Sequence, residues 1–259
     1  MTLEINEFAS ETSQIDGLQI IHVKTVTDDR GTVRELYRAS AHADVLPDTL
    51  NPWQQINLTR TKRGAVRGLH GEAMAKLVTV AHGSAFGAYV DTRADSKTLG
   101  AVVTVHLTPG VQVFVPQGVC NGFQALDDDT EYLYCFDNEW RPGMSGVALT
   151  PLDPELGIEW PISIVLGNLD QVSEKDAKAP TLKELIEFNK ENKIVCEWVK
   201  VTHHGSKGNN SDALYDIIKS ENYLFSANGE NKHNLPSKEC IARILRNKIR
   251  PSNSNYKFY

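Results

Sequence analysis

His70 stands between cations, with Arg67 three residues before it and Lys76 six after, in the stretch RGAVRGLHGEAMAKL that Arg63 opens at residue 63. A lone histidine is by default a surface residue or a satisfied core residue. Its company gives this one a second reading. Cations gathered on a short piece of strand and loop suit a phosphate or a developing oxyanion. Histidine removes a proton from carbon beside a carbonyl when a neighbour fixes its tautomer and an electrophile steadies the enolate. The chain offers carboxylates and tyrosines in abundance, and spacing alone does not select among them. The stretch is too rich in glycine for a helix and too charged for a core strand.

The elements that must position such a site are mostly strands. From Leu18 to about Trp160 short apolar runs alternate with turn residues: LQIIHVKTV, KLVTVAHG, SAFGAYVDTR, LGAVVTVHLTPG, VQVFVPQG and TEYLYCF. Runs of this length broken by Gly, Pro and Asp argue for a sandwich or barrel. One short helix is expected near ASAHADVL, residues 39–46. Near residues 177–195 the texture changes. EWVKVTHHGS reads as a strand entering a turn and NYLFSANG as another strand. SDALYDIIKS and SKECIARILRN read as helices capped by Ser211 and Ser237, and YKFY as a last strand. That is an α/β pattern attached to an all-β body.

Charge divides at the same place. Up to residue 176 there are 13 Lys+Arg against 24 Asp+Glu, a balance of −11; beyond it there are 14 against 9, a balance of +5, giving the net −6. A mildly basic tail is ordinarily a solvated face, so no nucleic-acid partner is expected. No apolar run approaches the roughly 18 residues of a membrane span. The first residues, MTLEINEFASETSQ, are acidic and lack the apolar segment of a secretory signal. Cys120, Cys135, Cys196 and Cys240 form no CxxC pair, which fits a reduced, cytoplasmic setting.

Eight blocks stand in order along the chain: DDRGTVREL, WQQINLTRT, AVRGLH, AKLVTVAHGSAFGAYVDTR, VFVPQGVCNGFQAL, EYLYCF, LDPELGIEWPI and SEKDAKAP. Each is weak alone. Together, over about residues 18–185, they resemble the dTDP-4-dehydrorhamnose 3,5-epimerase family, cofactor-independent sugar-nucleotide epimerases of the cupin fold. The resemblance implies a mainly β protein: a cupin (jelly-roll) barrel over residues 1–188 with a C-terminal α/β appendage over 189–259. It implies epimerisation at C3, C5 or both of a dTDP-4-keto-6-deoxyhexose in deoxysugar biosynthesis, by deprotonation and reprotonation beside the ketone. His70 matches the family's base, Asp176 the aspartate that orients it, and Tyr134 the acid on the opposite face of the sugar. Lys76 matches the lysine near the C4 oxygen. Arg67 and Arg30 resemble diphosphate contacts; Glu35, Gln55 and Asn57 resemble polar substrate contacts; Trp140 sits where an aromatic stacks on thymine. No cofactor is implied, and a homodimer that exchanges N-terminal strands is.

The same comparison of motifs addresses metal. Metal-binding cupins present a His-x-His pair, a later Glu and a second-motif His. Here the first motif holds only His70, and the second-motif position is Asn121, so no metal is expected. Asn121 is one of three departures from the family pattern. The others are Gly71 and Glu72, where the family has an aromatic residue and Gln, and a shortened link from His70 to Lys76. An alternative of another class is a sugar-nucleotide-binding cupin without turnover. The tail resembles the final portion of a metallo-β-lactamase-fold hydrolase. Its histidine segment, His203 and His204, is present, but the His-Pro ligand position reads Leu235-Pro236 and the upstream His-x-His-x-Asp-His motif is absent. No hydrolase activity is expected of it.

Overall fold

Alternation of apolar and polar residues along short runs builds two antiparallel sheets whose apolar faces meet. The structure is a computed structural model describing residues 3–191, 194–195, 197–206, 210–226, 235–246 and 257–259. The chain divides into two compact units, Met1–Leu185 and Ile186–Tyr259.

In the first unit a six-stranded sheet runs in the order β2 (Ala9–Thr12), β3 (Gln19–His22), β11 (Val111–Val115), β8 (Lys76–His82), β13 (Thr130–Phe136), β6 (Gln55–Thr61). A five-stranded sheet runs β10 (Val102–Leu107), β9 (Ala85–Asp91), β12 (Val119–Ala125), β7 (Val66–Glu72), β14 (Gly146–Ala148). The core lies between them. Val78, Val80, Val113, Val115 and Tyr132 of the first sheet pack with Tyr89, Val105, Leu107 and Phe123 of the second. The rings of Phe123 and Tyr132 stack across the layers, centroids 3.9 Å apart and planes 4° from parallel. Fully burying a side chain of this size stabilises the fold by roughly 1.5–3 kcal/mol. This is the sandwich or barrel that the strand runs argue for, and the mainly β, cupin-like jelly roll that the family resemblance implies.

The outer faces are covered as well. Ile21, Leu77, Phe114 and Cys135 pack with Phe8, Leu46, Leu50 and Trp53, next to the short helix α1 (Ala39–His42). Leu69, Ala88, Val90 and Cys120 pack with Leu149, Leu156, Trp160, Leu182 and Leu185. Leu182 opens α3 (Leu182–Glu191), a helix that the strand-dominated reading did not anticipate. The preceding helix, α2 (Glu174–Ala177), packs against β7. A separate three-stranded sheet, β1 (Glu4–Asn6), β4 (Thr25–Asp28) and β5 (Gly31–Arg34), carries mostly exposed residues.

The second unit is parallel α/β. β16 (Trp198–Lys200), β18 (Asn222–Leu224) and β19 (Lys257–Phe258) form a parallel sheet, and β15 (Ile194–Val195) pairs with β17 (Ile218–Lys219). The hydroxyls of Ser211 and Ser237 accept the N–H groups of Leu214 and Cys240, capping α4 (Asp212–Ile217) and α5 (Lys238–Leu245). Val201, Tyr215, Tyr223, Cys240 and Ile244 form its core. His204 is exposed, with its Nδ1 2.9 Å from the Ser226 carbonyl oxygen; the side chain of His203 lies outside the described set.

Candidate active site

The charged stretch at 66–72 is a strand after all. β7 is hydrogen-bonded between β12 and β14, and its charges are accommodated because they face a polar pocket between the sheets, not the apolar core. A regular strand could not do this. Arg67 and His70 are an odd number of residues apart, and strict alternation would send them to opposite faces. The register shows how they meet: Phe123 pairs with Arg67 and Asn121 with His70, so Gly68 and Leu69 together oppose Gly122 alone. This β-bulge inserts one residue and brings Arg67 and His70 to the same face as Asn121 and Phe123, while Leu69 turns into the outer core. Gly68 is at φ +109°, and a Cβ there would lie 2.7 Å from the Asn121 carbonyl oxygen and 2.7 Å from the Gly122 Cα. The bulge therefore requires glycine.

The pocket is lined by Arg67, His70, Glu72, Asn121 and Phe123 from one sheet and by Lys76, Tyr134 and Phe136 from the other. Asp176 reaches His70 from α2, Oδ1 to Nε2 at 2.8 Å. Burial pushes the Asp176 carboxyl up, but the hydrogen bond and charge of His70, the Ser173 hydroxyl and the Gly68 N–H outweigh it, and its pKa is lowered. Asp176 is thus an acceptor, the His70 Nε2–H donates to it, and Nδ1 is left as the basic nitrogen. Facing it from the other sheet, Tyr134 has its phenol pushed up by burial, against the Thr59 hydroxyl and the Arg67 charge, so it stays protonated at neutral pH. Arg67 Nε donates to the Thr61 hydroxyl at 3.0 Å. Lys76 donates to the Asn121 Oδ1 at 2.5 Å and to the His70 carbonyl at 3.0 Å, and it forms an ion pair with Glu72. A base on one wall, an acid on the opposite wall and a cation on each suit proton removal and return at carbon beside a carbonyl.

Roomier clefts of about 420 and 300 Å³ lie elsewhere, lined by Pro151–Trp160 residues and by Tyr37, His42 and Trp53. The histidine in the second is bonded to the Gln112 amide instead of a carboxylate. Among the described residues no cluster of three or more His, Cys, Asp or Glu is placed to hold a metal, and none of their helices is long and apolar enough to cross a membrane.

Comparison with known proteins decides the family. The model of the dTDP-4-dehydrorhamnose 3,5-epimerase family matches residues 12–184. The chain belongs to this family of epimerases. The Salmonella typhimurium dTDP-4-dehydrorhamnose 3,5-epimerase is 34% identical over 178 residues, covering 66% of this chain and 94% of that protein. The Legionella pneumophila epimerase, solved with dTDP-4-keto-L-rhamnose, is 33% identical with a TM-score of 0.61 over 69% of this chain and 97% of the other. ChmJ, a 3'-monoepimerase from Streptomyces bikiniensis solved with dTDP-quinovose, is 27% identical with a TM-score of 0.62 over 69% and 90%.

Measured against the epimerase motifs, the fold gathers His70, Asp176, Tyr134, Arg67, Lys76 and Asn121 into one place. Gln55 and Asn57 stand on β6 beside β13, with Asn57 paired to Tyr134; the Gln55 amide donates to Asn57 and accepts the Trp140 backbone N–H. Trp140 itself is 52% exposed. Arg30 and Glu35 are not in the pocket: Arg30 pairs with Asp28 on the β4–β5 hairpin, its side chain 81% exposed, and Glu35 pairs with Arg38. Glu72, Phe123, Phe136, Thr61 and Ser173 had not been singled out as site residues. For Glu72 the signal was available, since a residue two beyond His70 on a strand shares its face.

Proposed function

We propose that this chain epimerises a dTDP-4-keto-6-deoxyhexose at C3, C5 or both. The observation that carries this reading is the facing of His70, held by Asp176, against Tyr134 on the opposite sheet. The His70 Nδ1 takes the proton from the carbon beside the ketone. The electron pair moves onto the C4 oxygen, and Lys76 steadies that charge. Tyr134 then gives its proton to the other face, and solvent resets both groups. Arg67 holds the diphosphate, while Gln55, Asn57, Asn121 and Trp140 contact the rest of the nucleotide sugar. The test is proton NMR of product from dTDP-4-keto-6-deoxyglucose: inverted coupling constants at C3 or C5 support the reading, and tight binding without inversion indicates a binding module.

A homodimer completes the proposal. On the edge strand β6, Ile56 and Leu58 are 63% and 55% exposed on one face, an apolar stripe suited to a second copy. The exposed β1–β4–β5 sheet would carry Arg30 and Glu35 to the partner's site. A cytoplasmic setting fits the free thiols of Cys120, Cys135 and Cys240. Residues 189–259 form an accessory α/β appendage without hydrolase activity, a reading supported by Leu235 at the ligand position.

A further inference from the structure

One charged side chain in the pocket has no part in the reaction just described. Glu72 ends β7 and Lys76 begins β8, so Ala73, Met74 and Ala75 alone carry the chain from one sheet to the other. This short crossover sets the carboxylate against the ammonium. Lys76 is 3% exposed. An ammonium has three N–H donors: two are hydrogen-bonded, to the Asn121 Oδ1 and the His70 carbonyl, and the ion pair with the Glu72 carboxylate engages the third. No donor is left over for a substrate oxygen. The His70 carbonyl belongs to a paired strand and Asn121 is buried, whereas the Glu72 side chain is 22% exposed and is the acceptor most able to move.

Charge decides when it moves. A neutral ketone oxygen competes poorly with a carboxylate for an ammonium donor, because charge-assisted bonds are roughly twice as strong as neutral ones. An enolate oxygen carries a full charge and competes on equal terms. At the same moment His70 has become an imidazolium, and Glu72 stands two residues beyond it on the same face of β7, lining the same pocket. Burial pushes the Glu72 carboxyl up, but the charge and hydrogen bond of Lys76 prevail and keep it ionised. Glu72 therefore has a second cation to turn to when the first is claimed.

We propose that Glu72 is a positioning residue that exchanges partners during the proton transfer: it holds Lys76 in the resting pocket, then turns to the imidazolium of His70 and releases one Lys76 N–H to the enolate oxygen. This rests on the epimerase reading. Its effect is to reserve the third donor for the transition state, so the ketone gains nothing from it in the ground state.

The test is Glu72→Gln, with Glu72→Ala as a second probe and Glu72→Asp as the charge-conserving control. Calorimetry would compare dTDP-4-keto-6-deoxyglucose with dTDP-4,6-dideoxyglucose, which has no C4 oxygen to accept from Lys76. In the wild-type protein the two should bind alike. In Glu72→Gln the keto sugar should be favoured at least about five-fold, because the freed donor reaches it, while kcat for deuterium exchange should fall about ten-fold or more. Glu72→Asp should keep the wild-type ratio. If neither Glu72→Gln nor Glu72→Ala changes the affinity ratio, the partner exchange is wrong. Absence of exchange in the wild-type protein would instead remove the epimerase reading and the role in turnover with it, while the affinity ratio still reports whether Glu72 withholds Lys76 from a C4 oxygen.

Discussion

Replacing Gly68 by alanine attacks the feature on which the site's geometry depends. The added methyl would sit 2.7 Å from the Asn121 carbonyl oxygen and 2.7 Å from the Gly122 Cα, both backbone atoms. Cβ contacts shorter than 3.0 Å essentially do not occur, and ordinary contact begins at 3.4 Å, so β7 and β12 must part by about 0.3–0.7 Å. The φ of +109° adds backbone strain of order 1–3 kcal/mol, and overpacking adds about as much again. Gly68→Ala should thus lose about 2–6 kcal/mol in urea unfolding. Because Arg67 and His70 flank the bulge, a displacement of this size should also slow deuterium exchange at least about ten-fold, given that roughly 1 Å of misplacement can cost 10². Gly167→Ala is the control: Gly167 has φ +83° with nothing within 4 Å of its Cβ position, so it reports backbone strain alone. If Gly68→Ala were no less stable than Gly167→Ala and exchanged at the wild-type rate, the bulge would not be what sets the site.

Other consequences follow from the same account. Tyr134→Phe should leave initial carbon–deuterium exchange largely intact while reducing completed inversion by about 10² or more, measured as exchange against product coupling constants. Asp91, fully buried, is pushed up by desolvation but pulled further down, to about 2, by Arg93, Ser96, Thr98 and a backbone N–H. Its lowered pKa means that it stabilises the fold above about pH 4 by on the order of 2 kcal/mol, a contribution lost as pH falls toward 2; the stability gap between wild type and Asp91→Asn in urea should close over that window. A chain ending at Phe188 should keep exchange activity, because Leu182 and Leu185 still cover the outer core, whereas one ending before Ser173 loses Asp176 and should be inactive.

Much of the fold was legible because burial on one face writes itself as alternation. The runs KLVTVAH, AFGAYVD and VQVFV became β8, β9 and β11, and the serine caps of α4 and α5 stand where Ser211 and Ser237 marked them. What was not legible depends on long-range pairing. Asp176 meets His70 from 106 positions away, and no periodicity joins them; only family resemblance named the pair. Residues 66–72 looked too charged for a strand because a pocket inside a sheet sandwich lets charges face inward. The side shared by Arg67 and His70 depends on which residue Gly68 opposes, a fact of register. Glu72 was visible as an odd residue in the motif, but its partnership with Lys76 follows from a three-residue crossover between sheets. α3 escaped because its apolar positions, Leu182, Leu185 and Ile186, fall where the texture of the chain changes.

The most direct test of the central claim, that His70 removes a proton beside the ketone, is proton NMR of dTDP-4-keto-6-deoxyglucose in deuterated water with the wild-type protein and His70→Ala side by side. The C3 or C5 proton signal should be lost with the wild-type protein, and exchange should slow by about 10²–10⁴ in the variant with nucleotide binding retained. No exchange with the wild-type protein, or exchange at wild-type speed in His70→Ala, would contradict that claim.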